Sequence, residues 1–340
     1  MSYTDHLARR GLQGIPVLFG LSFIIFFISR VIPGDPVRLA LGPDATDEQA
    51  EALRQDMGLD EPIYIQYIEW IIGVFQGEWG MSLRTGNNVF NDIVFRLPAT
   101  FELVIVALVF AILFGVPFGV IAGTNKDKWQ DHLSRLTALF GVSMPRFWVG
   151  ILLQIFIVAG LGYFHLTGRA TEGVAPSRIT GMYLFDSVLL ADWAAFTDAL
   201  SHLILPAFAL GLATLAQIMR LVRSDIIEQS RKDYVLAAQA SGLPQNLIHY
   251  KYMLRNAFTS SLTVIGLAFG FLLGNAFLIE TVFAWPGMAR YGVQAILFQD
   301  FNAIVGVVIV IGFAYVFANF VVDLLYGYLD PRVRLGQGGG

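Results

Sequence analysis

The chain has 340 residues, of which 56% are hydrophobic and only 14% charged, and its mean hydropathy is +0.62. Soluble domains usually carry about a quarter charged residues, so this composition predicts a protein that crosses a membrane several times. The absence of cysteine excludes disulfides and thiolate metal sites and argues against a lipid-anchored lipoprotein. The net charge of −4 gives no support for nucleic-acid binding.

The first apolar run extends from Gly11 to Ile32 and follows two arginines, Arg9 and Arg10. Its 22 residues would span about 33 Å as a helix, enough for the hydrocarbon core. It ends in Arg30 and IPGDP instead of a small-residue cleavage site, so we expect an uncleaved span. Residues 1–32 are therefore predicted to form a cytoplasmic N-terminus and the first transmembrane helix.

Residues 33–97 form a more polar segment, with eleven Asp and Glu against four Arg. Thr46 is a candidate N-cap for a short helix that ends near Gly58. IYIQYIEWIIGVF has apolar residues at helical spacing and is predicted to lie against the membrane surface. We expect a small extracytoplasmic segment.

Residues 98–329 are predicted to contain five more transmembrane helices, which makes the fold all-α with six spans. Pro117 and Pro145 are expected to kink two of them. Residues 330–340 are predicted to be a tail. The five predicted spans are Leu97–Ala122, Ser134–Phe164, His202–Val222, Phe258–Phe283 and Ala303–Leu329.

The distribution of basic residues predicts the orientation. The N-terminus, the 126–135 loop, the 220–255 stretch and the C-terminus hold 13 of the 22 Lys and Arg. Because short cytoplasmic loops are enriched in Lys and Arg, we expect all four segments, and so both termini, in the cytoplasm. This predicts a multi-pass protein of the cell (plasma or inner) membrane.

The stretch Lys232–Asn256 is the longest polar segment between two apolar runs in the C-terminal half. Tyr234, Ala237, Ala238 and Ser241 fall on one face of a helix, and this face is small and flat. Gly242 suits a left-handed helix end, and Pro244 suits the start of a second helix. We interpret the stretch as a docking surface for another protein; an ordinary amphipathic connecting loop is the alternative.

A nucleotide site is not expected in this chain. A Walker A loop needs glycine directly before its lysine. The residues that precede the four lysines are Asn125, Asp127, Arg231 and Tyr250. If transport uses ATP, another chain must bind it.

Several polar residues fall within the predicted spans, where they are costly and often functional. Glu102 and Glu280 lie near predicted outer ends, where they are expected to reach the interface, and a helix–helix hydrogen bond is one reading of Asp323. Gln154 and Gln217 are weaker candidates. The histidines are spread over different loops and faces, and we expect neither a catalytic nor a metal site. Our candidates for the translocation pathway are Asn275, Glu280, Ser143 and Met144.

Four motifs resemble the dipeptide/oligopeptide/nickel permease subunits of ABC importers over nearly the whole chain. The first two are RRGLQGIPVLFGLSFIIFF…IPGDP and GLDEPIYIQYIEWIIGVFQGEWGMSL. The others are LPAFALGLATLAQIMRLVRSDIIEQSRKDYVLAAQASGL and ETVFAWPGMAR. LAAQASG sits at the place of the EAA-type loop, which docks on the ATP-binding subunit in that family. Tyr252, Ser260 and Asp300-Phe301-Asn302 depart from the family pattern.

This resemblance implies the type I ABC importer permease fold and a set of partners. These are a second permease subunit, two ATP-binding cassette subunits that carry ATP and Mg, an extracytoplasmic solute-binding protein and membrane lipid. Trp285, Pro286 and Gly287 would flank the outer mouth, and Trp285 also suits an interfacial belt. Arg255 is equally well read as a residue that snorkels to the membrane surface. The implied ATPase-docking residues are Asp233, Tyr234, Ala237, Ala238, Gly242, Arg255 and Asn256, the last two as caps or anchors of the fifth span.

The resemblance implies a permease subunit of an ATP-driven importer for peptides or similar small solutes, and two other function classes are alternatives to it. A secondary transporter driven by an ion gradient predicts inverted repeats and mid-membrane carboxylates. An integral-membrane enzyme predicts His or carboxylate clusters at one interface. We find neither pattern clearly in the sequence.

Overall fold

A computed structural model describes residues 3–31, 37, 41, 46–56, 58–160, 162 and 164–329. Within these residues the regular structure is helical, apart from an antiparallel bridge between Met81 and Asn88. Short helical turns, Gln245–Leu247 and Ile248–Met253, lead into the helix that begins at Leu254, and Gln154–Ala159 extends the helix that ends at Leu153. In chain order the helices are α1 (Tyr3–Val31), α2 (Asp47–Asp56), α3 (Ile63–Gln76), α4 (Val89–Thr124), α5 (Trp129–Ser143), α6 (Arg146–Leu153), α7 (Tyr183–Leu189), α8 (Trp193–Gln229), α9 (Asp233–Ala240), α10 (Leu254–Val282), α11 (Met288–Leu297) and α12 (Phe301–Leu329).

Five of the described helices are long and apolar enough to cross a membrane: α1, α4, α8, α10 and α12. The count is six if α5 and α6 with its extension together form one span. These two segments meet at an angle of 104°, so the kink predicted at Pro145 within Ser134–Phe164 is a sharp break between two helices. Met144 is extended (ψ 130°) because Pro145 disfavours the helical conformation in the residue before it. Pro117, by contrast, lies inside the uninterrupted helix α4.

The centre of the fold is a close, parallel contact between α4 and α8. Gly115, Gly119 and Gly123 are four residues apart and form one stripe on α4. They face Ile218, Val222 and Ile226 of α8, in the same order along both chains. A Cβ on Gly119 would lie 2.7 Å from the Val222 Cβ and 2.8 Å from the Met219 carbonyl oxygen. Small residues of this kind let membrane helices approach to backbone contact.

The N-terminal helices pack at the edge of this centre. α1 lies against α12, and Phe26 of α1 contacts the rings of Tyr67 and Trp70 on α3 at 5.4 and 5.3 Å. The helix predicted in IYIQYIEWIIGVF is thus α3, and it packs against α1. The predicted cap at Thr46 is also confirmed, since Thr46 and Gln49 exchange backbone-to-side-chain hydrogen bonds at 3.1 and 3.3 Å. IPGDP (32–36) and the tail 330–340 lie outside the described residues.

Candidate functional site: the 232–256 loop and the adjoining cavity

The loop between α8 and α10 is a defined helix–turn–helix. After α9, Gly242 adopts the left-handed conformation (φ 73°). The N–H of Leu243 donates to the Ala238 carbonyl at 3.2 Å, and that of Gly242 donates to Gln239 at 3.0 Å. These bonds make a Schellman cap, which needs a residue with positive φ. The predicted glycine turn is therefore present.

The two faces of α9 have different surroundings. Val235 is 2% exposed, and Tyr234 and Ala238 pack partly against the same cluster of apolar side chains. Asp233, Ala237 and Gly242 point outward, together with Leu236, which is 59% exposed. The small face predicted from the sequence is thus split between an anchoring side and an exposed side.

The second half of the loop is fixed firmly to the helix bundle. Ile248 and Met253 are buried in the cluster that contains Val222 and Ile226 of α8 and Val120 of α4. The chain is already helical from Gln245, so Arg255 and Asn256 lie inside a continuing helical run and do not cap its start. Both are exposed, and Asn256 donates to the Tyr252 carbonyl at 3.1 Å. Ser260 lies where no side chain is described.

A cavity of about 620 Å³ opens beside the bend between α5 and α6. Its walls come from the bend, from α8 and from α10, and two of the predicted pathway residues, Met144 and Asn275, line it. Ser143 is exposed at the bend but outside the lining, and Glu280 lies elsewhere. Gln217, a weaker candidate, also lines it. The polar members of the lining are Arg146, Thr214, Gln217, Arg220 and Asn275.

Glu280, Trp285 and Gly287 are buried within the protein, whereas Pro286 is exposed, so the expectation that the Glu280 and Trp285 side chains reach the membrane interface is wrong. The Glu280 carboxylate is fully buried and accepts bonds from the Thr100 hydroxyl at 2.6 Å and from the Arg290 N–H at 2.7 Å. It thereby caps the first turn of α11. Gly287 must lack a side chain, because a Cβ there would overlap this carboxylate. Trp285 is buried, and its indole N–H donates to the Ala99 carbonyl at 3.0 Å.

Glu102 is likewise buried in the protein. Arg169 pairs with its carboxylate and also donates to the Gly181 carbonyl at 2.9 Å. The pair is 67 residues apart in sequence, which is why the sequence alone did not show it. In the neighbouring turn, burial tends to raise the pKa of the Asp186 carboxyl. Hydrogen bonds from Thr180 and from backbone N–H groups outweigh burial and hold that pKa below its ordinary value.

Asp131 ties α5 to α8 close to the loop. Its carboxylate is fully buried and accepts from Arg135 at 2.6 Å and from Arg223 at 2.9 Å. A buried charge of this kind needs such partners, because losing one leaves the other uncompensated. The tie joins the start of α5 to the last turns of α8, just before α9. Its residues are 92 positions apart, so no local pattern in the sequence pairs them.

The family of this chain follows from its matches to known protein families. Residues 115–335 match the family described as binding-protein-dependent transport system inner membrane component, and residues 3–104 match its N-terminal region. The chain belongs to this family. Its helices therefore form the membrane component of a binding-protein-dependent transport system.

Relatives match along the full length of this family member. A probable D,D-dipeptide transport system permease protein of Escherichia coli K12 is 42% identical over all of both chains. A dipeptide transport system permease protein of Alkalihalophilus pseudofirmus is 39% identical over 96% of this chain and 98% of its own. A glutathione transport system permease protein of E. coli K12 is 33% identical over 97% and 99%.

Two histidines of this permease-family chain are close in space although far apart in sequence. The rings of His165 and His202 are stacked, with centroids 3.7 Å apart and planes 6° apart. The interpretation of the histidines as dispersed is therefore wrong for this pair. Asp198 lies beside them. The i, i+4 spacing of Asp198 and His202 in α8 was the available sequence signal.

Proposed function

We propose that this chain is the permease subunit of an ATP-driven importer of peptides and forms half of the translocation pathway. The observation that carries the proposal is the full-length similarity to three permease proteins that are named for a D,D-dipeptide, a dipeptide and glutathione. The chain itself performs no covalent chemistry. A second permease subunit, two ATP-binding subunits carrying ATP and Mg, and an extracytoplasmic solute-binding protein complete the system.

Energy enters through the exposed side of α9. Asp233, Ala237 and Gly242 have short side chains or none, so beside the exposed Leu236 a partner can approach the backbone closely. The opposite side, with Val235, is anchored in the α4–α8 cluster. A displacement of α9 by the ATPase is therefore transmitted to the bundle, and the Asp131–Arg223 tie extends it to α5. The cavity beside the α5–α6 bend then changes the side of the membrane to which it is open.

The cavity suits the polar ends of a peptide. Two arginines line it, Arg146 and Arg220, and its lining among the described residues includes no Asp or Glu. The Nη1 atom of Arg146 is buried and has no hydrogen-bond partner within the part of the chain that the structure describes. A free peptide carboxylate can accept strong, charge-assisted hydrogen bonds from a guanidinium group. We therefore assign Arg146 to the cargo carboxylate.

The test is uptake of a labelled dipeptide by vesicles that contain the whole transporter. Wild-type uptake is expected to require both ATP and the ATPase subunits. Arg146→Gln removes the charge and is expected to reduce uptake about ten-fold or more, since a charged hydrogen bond contributes roughly 1.5–3 kcal/mol.

The control for Arg146→Gln is a dipeptide amide, which has no carboxylate. Wild type and variant should transport the amide equally poorly if the guanidinium acts on the carboxylate. An equal loss for both cargoes would refute this role of Arg146. Uptake without any ATP-binding partner would refute the importer and favour an ion-driven transporter.

We further propose six spans, with both termini and the 232–256 loop in the cytoplasm. α4 and α8 run parallel, so the chain must cross back between them. The bent pair α5–α6 supplies the apolar helices for that crossing. The basic residues of the loop and termini support the cytoplasmic side.

Single-cysteine labelling tests this topology, because the chain has no cysteine of its own. A cysteine at Gln239 should react with a membrane-impermeant maleimide only after the membrane is opened. One at Glu172, in the loop before α7, should react in intact cells or spheroplasts. Labelling of both positions from the same side would overturn the six-span proposal.

A further inference from the structure

Three metal-ligating side chains converge where the loop before α7 meets α8. One nitrogen each of His165 and His202 and one oxygen of Asp198 all lie within 4.8 Å of one another. Asp198 and His202 are four residues apart on α8, which puts them on one face of the helix. His165 reaches them from the loop. Two imidazoles and a carboxylate are a ligand set typical of divalent transition metals.

Hydrogen bonds place the proton of each imidazole on Nδ1. His202 Nδ1 lies 2.9 Å from the Asp198 carbonyl oxygen, so this nitrogen carries the proton. The Ser201 hydroxyl donates to that same carbonyl at 2.7 Å and can therefore accept from His165 Nδ1, 3.0 Å away. Each ring then keeps the Nε2 lone pair for another partner. Metal-bound histidines are usually held by such a bond on the second nitrogen.

The carboxylate is also fixed in place. The backbone N–H and the hydroxyl of Thr171 donate to the two Asp198 oxygens at 2.8 and 2.7 Å. The adjoining Arg169 pairs with Glu102, which attaches the loop to α4. Because His202 is buried and His165 is exposed, the cluster has a rigid side and a side open to solvent. An ion can enter from the open side.

We propose that His165, Asp198 and His202 bind one divalent transition metal ion, with both Nε2 atoms and a carboxylate oxygen as ligands. Solvent completes the coordination on the exposed side. For ligand bonds of about 2.1 Å in a tetrahedral site, ligand atoms are about 3.4 Å apart. The candidate ligand atoms lie within 4.8 Å of one another and the two rings are stacked, so binding requires the exposed His165 ring to rotate out of the stack towards the shared ion. The bound ion would pin the loop before α7 to α8.

The site is tested with Zn²⁺ on the purified full-length chain in detergent, with an affinity tag that contains no histidine and after removal of metal by a chelator. Calorimetry is expected to show about one tight Zn²⁺ site per chain, and Zn²⁺ should raise the thermal unfolding temperature. His165→Gln should weaken binding about 100-fold and remove the thermal shift. Ser201→Ala, which removes only the group that orients His165, should weaken it about ten-fold.

His132→Gln is the matched control, because His132 is exposed on another helix, α5. It should bind Zn²⁺ like wild type. Since His165 is exposed, its variant is expected to fold, and the unfolding temperature without metal verifies this. If wild type does not bind Zn²⁺, or if wild type and His165→Gln bind it equally, the proposed site is refuted. His165 and His202 are then a stacked pair that binds no metal. The measurement needs no transport, so its failure is distinct from failure of the proposed function.

Discussion

Replacing Gly242 by asparagine is expected to abolish ATP-driven uptake while leaving the isolated chain nearly as stable as wild type. Asparagine tolerates the left-handed conformation that residue 242 adopts at φ 73°. A Cβ at this position meets no atom within 4 Å, so the folded chain has room for the side chain. The new amide would stand on the surface where the ATPase subunit is proposed to dock. Uptake and co-purification of the ATPase subunits measure the effect.

Two further variants separate docking from strain. Gly242→Ala adds little bulk but places a β-carbon in a left-handed residue, at a cost of about 1–2 kcal/mol. Gly77→Asn is the matched control, because Gly77 is also a left-handed helix C-cap (φ 85°) with open space around it. It lies outside the loop and should retain full uptake. If Gly242→Asn transports normally, or if Gly77→Asn fails to the same degree, residue 242 is not at the docking surface.

Gly119→Ile is expected to prevent the bundle from folding. The added side chain would enter the α4–α8 contact, where a Cβ already lies 2.7 Å from Val222 and 2.8 Å from a backbone carbonyl oxygen. Overpacking usually costs about 1–3 kcal/mol, and we expect at least the upper end because a backbone oxygen cannot rotate away. The yield of monodisperse protein and its unfolding temperature in detergent measure the change.

Gly20→Ile in α1 is the control for this variant. Gly20 is also a helical glycine in a candidate span, but a Cβ there meets nothing within 4 Å. The same substitution should therefore leave the yield and the unfolding temperature close to wild type. Equal losses for both variants would show that β-branching within a span, and not the α4–α8 contact, is responsible.

The sequence predicts the apolar helices and the glycine turn well because both depend on local properties. Continuous apolar runs mark the spans, and Gly242 and Pro244 mark the ends of neighbouring helices. The partners across the fold are not local. Nothing near Gly119 in the sequence identifies Val222 as its neighbour, and nothing near Glu102 identifies Arg169. A single proline predicts a kink, but its angle depends on how α5 and α6 pack against α8.

The candidate site, too, was predictable only where it depends on local sequence. The loop could be found from its polar composition and small residues, but not the division of α9 into two sides. That division depends on Val235 reaching a cluster built from distant helices. The interfacial role expected for Glu280 and Trp285 failed for a related reason. Hydropathy places residues along a span, but it does not show whether a neighbouring helix covers them.

The backbone contact between α4 and α8 also limits where a solute can pass. Side chains at Gly115, Gly119 and Gly123 would collide with α8, so no water-filled gap fits along this seam. We therefore expect this seam to exclude ions and protons during transport. The cavity opens on the opposite flank of α8, and we expect the solute to pass on that side. A gate in this chain would then form at the α5–α6 bend, while the α4–α8 pair stays closed.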